Sequence, residues 1–215
     1  MGTVTVKLAA GGGHHCGQDE EGCLFEWYNW LTRQSDSDDS CPPGVSKILH
    51  IFGIRLNDAL PDEKRQLLAR YLPNGSSPLE GTSGDGKDER RGYLALDWLT
   101  RIYLPAFLDL AGIPSDLAQH PRVDSLEAAQ SIGLLVRQAR DKAAAAGAAA
   151  RDAAWAAAGD AAWAAAGAAA GDAAGDAAWA AARAKLAPTV SQLQDSAIAL
   201  YDLMIAGECP ARQVT

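Results

Sequence analysis

Residues 143–186 divide without a gap into four-residue units: AAAA GAAA RDAA WAAA GDAA WAAA GAAA GDAA GDAA WAAA RAKL. Of these 44 residues, 28 are alanine. Alanine is the best helix former, and five glycines at about 1 kcal/mol each weaken the preference without removing it. The tract therefore reads as helix and sets the class as all-α. Each unit advances about 400°, so equivalent places drift by about 40° per unit. Trp155 and Trp163 fall about 80° apart, and the three tryptophans, with Trp179, cannot share one face of a straight helix. As one helix the tract would span roughly 66 Å, against a radius of gyration near ~17 Å for a compact chain of this length. It should project as an arm or break among Gly167, Gly171 and Gly175. Trp, Arg and Gly codons can differ by one base, as can Asp and Ala codons. A slipping short repeat in a GC-rich gene would leave such units.

The flanks carry larger side chains at helical spacing. Beyond Pro188 a last helix passes through Val190, Leu193, Ile198, Leu200, Leu203 and Met204 and ends at Gly207. Before the tract, residues 44–142 read as several helices. Ser46 caps one through Ile48, Leu49, Phe52 and Leu56. Pro61-Asp-Glu opens another. A long loop runs from Gly75 to Lys87. A core-like helix follows from Arg91 to Leu110, which Pro105 should kink or end early, and a further one starts near Val123. Residues 1–43 hold a short strand at Thr3 to Leu8 and an aromatic helix, Cys23-Leu-Phe-Glu-Trp-Tyr-Asn-Trp-Leu, whose polar side is Glu26, Asn29 and Arg33. The expected organisation is four segments, at 1–43, 44–142, 143–186 and 187–215, forming a helical bundle of about six helices with a long or broken Ala-rich helix.

Composition bears this division out. The chain has 215 residues and 48% are apolar. Alanine supplies 44 of those, so the core-forming side chains are fewer than the percentage suggests. The net charge is −8. Residues 1–42 hold seven acids and two bases, and so carry −5 of it. An acidic chain lacks the basic face that general nucleic-acid binding needs. Asp152, Asp160, Asp172 and Asp176 interrupt the alanines, so the tract is not a membrane span. The apolar stretch before Gly11 is too short for a signal-peptide core, and Val6 departs from the myristoylation pattern. The expected location is cytoplasmic, with reduced cysteines. His14, His15, Cys16, Cys23 and Cys41 fit no zinc spacing, so no metal and no cofactor are expected.

Two constellations stand out as ligand or partner sites. Gly81-Thr-Ser-Gly-Asp-Gly-Lys87-Asp88 matches a phosphate-binding loop except at its last place. There Asp88 replaces the magnesium-holding Ser or Thr, and no strand precedes the loop. Asp85 or Asp88 would cap the next helix instead. Lys87, Arg90 and Arg91 remain a local basic cluster able to grip an anionic ligand or acidic partner. Asp97 and Arg101, four apart, read as an ion pair on an exposed helical stripe, or as a polar pair lining a pocket beside Trp98. Trp27, Tyr28, Trp30, Trp98, Tyr103 and Phe107 read as core, with base or sugar stacking as the alternative. His50 and His120 have no partner visible in sequence, and no nucleophile elbow or zinc-protease helix is present.

The stretch from Cys23 through Asp109, followed by alanine–tryptophan tetrads, resembles uncharacterised proteins of GC-rich actinobacteria and their phages. The resemblance implies a mobile-element accessory role and brings no activity with it. The expected function is a non-enzymatic helical interaction protein, meeting a protein partner or a second copy through Trp155, Trp163 and Trp179. The alternatives are a module that sequesters a small anionic metabolite or nucleotide, and an enzyme with an unrecognised site.

Overall fold

Helix α1 (Leu24–Arg33) begins at a capping box in which cysteine takes the usual place of serine. The Glu26 amide donates to Cys23 Sγ at 3.4 Å, and the Cys23 amide donates to Glu26 Oε2 at 2.8 Å. Each side chain thereby satisfies a backbone N–H that a helix start leaves open. Glu26 and Asn29, read from sequence as the polar side of this helix, are both buried. The reason is local: Glu26 Oε1 also accepts the Gly13 amide at 2.5 Å, and Asn29 holds the loop at 38–40.

The computed structural model describes residues 6–13, 16, 21–33, 38–162 and 168–208, with backbone alone between 147 and 183. It divides into two compact units. The first comprises residues 1–95 with 194–215 and the second 96–193.

In the first unit, the strands β1 (Lys7–Leu8) and β2 (Glu21–Gly22) make a short parallel pair. The remainder of the expected N-terminal strand lies outside the described residues. Trp27 Nε1 donates to the Lys7 carbonyl at 3.0 Å and fixes this pair to α1. Helix α2 (Lys47–Ala59) is capped by Ser46, as the sequence predicts. Helix α3 (Asp62–Arg65) passes into a 3-10 turn over Gln66–Tyr71, and Pro61 sits at its N-cap. The core is Leu24, Phe25, Trp27, Leu49, Leu68, Leu79, Tyr201 and Met204, all buried. Gly53 makes the close approach within it. A Cβ there would lie 2.6 Å from Tyr201 Oη and 2.8 Å from Phe25 Cε2.

Helix α4 (Asp88–Trp98) is followed by a π turn over Leu99–Tyr103 and by α5 (Leu104–Leu110). The Leu104 amide reaches back five residues to the Leu99 carbonyl. Pro105 does not end the helix here. A proline has no N–H for the carbonyl four residues back, and the wider turn just before it takes up that misfit. Gly112, at φ +67, then stops the helix. A 3-10 turn at Leu117–Gln119 precedes α6 (Leu126–Ala162). The core of the second unit is Leu108, Leu117, Val123 and Ile132.

The tetrad tract is helical where described, and its expected boundaries dissolve. Helix α6 runs from ordinary sequence into it, and α7 (Ala168–Ala206) leaves it with Pro188 inside the helix. Residues 163–167, with Trp163 and Gly167, lie outside the described residues. Alanine on both sides outweighs the proline's local cost of about 3 kcal/mol. The chain is all-α, of helical-bundle class, as the tract predicts.

Candidate functional site

The loop that imitates a phosphate-binding loop is built around a cation. Gly81, Gly84 and Gly86 all have positive φ and turn the chain over the Arg91 guanidinium, which has no solvent exposure. Arg91 Nη1 and Nη2 grip the Asp85 carboxylate at 2.8 and 2.7 Å. Nη1 also meets Asp88 Oδ1 at 2.9 Å and the Thr82 carbonyl at 3.1 Å. A phosphate loop turns backbone N–H groups inward. This one turns oxygens inward, so its polarity is reversed. Asp88, in the magnesium-ligand place, accepts from Ser46 Oγ at 2.5 Å. Ser46 also accepts the Ile48 and Leu49 amides, and so caps α2. The Arg91 fork holds the Asp85 carboxyl below its ordinary value.

The same cations close the end of α7. Its last carbonyls have no intrahelical donor and carry the negative end of the helix dipole. Arg91 Nε donates to the Met204 carbonyl at 2.9 Å and Lys87 Nζ to the Ala206 carbonyl at 2.8 Å. Gly207, at φ +65, completes the cap, its amide and that of Glu208 bonding the Leu203 carbonyl. Thus Lys87 and Arg91, two of the three residues proposed to grip an anion, instead tie α2, α4 and α7 into one unit. Arg90 is exposed.

Asp97 and Arg101 pair at 3.1 Å, but both side chains are mostly buried rather than on an exposed stripe. The difference comes from Val123, whose amide donates to Asp97 Oδ1 at 2.8 Å. Arg101 Nε is buried without a hydrogen-bond partner. The aromatic set divides between the two units. Trp27 and Trp30 meet edge to face at 5.5 Å in the first, whereas Tyr103 lies 5.3 Å from Trp98 and 5.0 Å from Phe107 in the second. Trp155 and Trp179 lie on α6 and α7, where only the backbone is described.

His120, lone in sequence, gains a neighbour. Its Nδ1 meets the Pro121 carbonyl at 2.7 Å and its Nε2 meets Ser131 Oγ at 3.1 Å. The pair is exposed. Cys23 is buried, and desolvation pushes its thiol up to about 12, which suits a helix cap and not a nucleophile.

What the second unit does expose is apolar. Leu126 and Leu134 on α6 are 64% and 58% accessible, and Leu99 and Ile102 on the π turn are nearly half exposed. Sequence reasoning placed Leu126 in a core helix and Leu99 and Ile102 in a core-like one. Helical spacing finds an apolar face but not whether anything covers it. Among the described residues no helix is long and apolar enough to cross a membrane. The fold and these surfaces define an all-α protein with a saturated polar junction and an uncovered apolar helix face. No family model, curated protein or solved structure matches the chain.

Proposed function

We propose that this chain is a non-enzymatic helical interaction protein, an accessory factor of the phage or mobile-element kind. It acts in the cytoplasm through protein–protein contacts. The observation that supports this reading is the exposure of Leu126 and Leu134 on α6, the helix that continues into the alanine–tryptophan units. A stable interface needs about 800 Å² from each partner. Three tryptophans at about 150–250 Å² each bring most of that, and the leucines extend the apolar surface. Alanine lets a second helix approach closely while adding little burial of its own. The expected mode is self-association along this surface.

Static light scattering across a wide concentration range tests it. The wild type should form dimers or larger species, and a variant carrying Leu126→Glu and Leu134→Glu should be monomeric with unchanged helicity. Removal of residues 143–186 should likewise abolish association. A wild type that stays monomeric at every concentration removes the self-association reading.

The anionic-ligand alternative loses support from the geometry, because the donors of Arg91 and the Lys87 ammonium are already met by carboxylates and carbonyls. A shift in melting temperature across a nucleotide panel would restore it.

A further inference from the structure

Asn29 has no solvent exposure, and its carboxamide lies against a ring of oxygens. Its Nδ2 stands 2.8 Å from the Asp38 carbonyl, 3.2 Å from Asp38 Oδ1 and 2.8 Å from the Ser40 carbonyl. An amide nitrogen has two hydrogens, so it cannot satisfy three acceptors at once. Meanwhile Asn29 Oδ1 is buried with no hydrogen-bond partner. A buried carbonyl oxygen without a donor costs about 1–3 kcal/mol. The amide is thus overdrawn on its nitrogen and idle on its oxygen. Ser40 Oγ lies 2.6 Å from Asp38 Oδ1 and adds a further oxygen to the same place.

A hard cation resolves both faults. With the carboxamide turned over, Asn29 Oδ1, Asp38 Oδ1, the carbonyls of Asp38 and Ser40, and Ser40 Oγ would face one ion. We propose that Asn29, Asp38 and Ser40 form a binding site for a hard divalent cation of the calcium type. The donors are oxygen throughout, which selects against zinc and copper. They mix carboxylate, amide, hydroxyl and backbone carbonyl in irregular geometry, which calcium accepts and magnesium does not. Water completes the six to eight ligands calcium takes. The acidic N-terminal segment, at −5 over residues 1–42, adds a favourable field.

The single carboxylate makes the site weak, with a dissociation constant on the order of 10⁻⁴–10⁻³ M. Arg33, which acts electrostatically on Asp38, opposes the ion. The bound cation fixes the loop at 38–40 onto α1 and so stabilises the first unit without any role in association.

Terbium(III) is the probe, since Tyr28 and Trp30 flank Asn29 on α1 and can sensitise its emission. With the full chain, terbium emission excited through these rings should saturate and be displaced by calcium, and calcium should raise the melting temperature. Asp38→Asn should weaken binding at least about tenfold, circular dichroism confirming that the variant folds. Arg33→Gln leaves every ligand in place and should tighten binding about threefold. Emission that calcium fails to displace overturns the site. So does wild-type affinity in Asp38→Asn, or unchanged affinity in Arg33→Gln. These readouts come from a monomer or an oligomer alike, so they stand apart from the association test.

Discussion

The two units of this protein use helices of similar propensity to opposite ends. In the first, large side chains are buried and polar groups are consumed. Trp27, Phe25, Tyr71 and Tyr201 are enclosed, and Arg91 has carboxylate or carbonyl partners on all three nitrogens. In the second, Leu117 and Ile132 are enclosed, while Leu99, Ile102, Tyr103, Leu126 and Leu134 face solvent. The first unit has spent its chemistry on holding itself together. The second has kept apolar area that only a further surface can remove from water.

Breaking the first unit should need one substitution. Arg91→Ala leaves Asp85, Asp88 and three carbonyls without their donor, and should cost about 3–5 kcal/mol in urea unfolding followed by Trp27 and Trp30 fluorescence. Such a loss would expose how far the junction supports the unit. A loss below about 1 kcal/mol would show that carbonyls and carboxylates there are satisfied by water.

The second unit contains the opposite kind of lever. Pro188→Ala restores a helix donor and removes a ring clash, and should stabilise α7 by up to about 3 kcal/mol, read as a higher melting temperature. Gly53→Ala should destabilise the first unit by about 1–3 kcal/mol, because its Cβ would meet Tyr201 and Phe25 at under 3 Å. Leu134→Glu, in contrast, should change stability by no more than about 0.5 kcal/mol while weakening association. Equal stability losses for Gly53→Ala and Leu134→Glu would erase the contrast between the units.

The smallest effects follow pH. Asp85 is depressed from 3.8 by the Arg91 hydrogen bonds. Its contribution is therefore complete above about pH 4 and lost as pH falls through the lower folded value. Tyr71 and Tyr201 are raised above 10 by burial. They add stability that is complete below pH 10 and lost as pH rises through their folded values. Denaturant midpoints measured across pH should fall at both ends, and Asp85→Asn should flatten the acid limb.

Much of the first unit was legible. Ser46 announced a cap by its place before an apolar periodic run, and Gly207 announced a stop. Cys23 and Glu26 had capping-box spacing, but cysteine in place of serine hid it. The Lys87–Arg91 cluster was visible as charge. Its use was not, because the acceptors at Met204 and Ala206 lie more than a hundred residues away along the chain. Asn29 looked like a surface residue for the same reason, since the loop that covers it depends on where residues 38–40 return.

By itself, the sequence determined the helical class, the position of the alanine–tryptophan tract and the acidic bias of the N-terminus. These follow from propensity, periodicity and counting, which are local. Only the tertiary structure decided that the phosphate-like loop encloses a guanidinium, that Pro105 is absorbed by a π turn, and that Leu126 and Leu134 stay uncovered. Charge and burial depend on what distant segments bring to a residue, and a one-dimensional pattern fixes which groups need partners without saying which ones they meet.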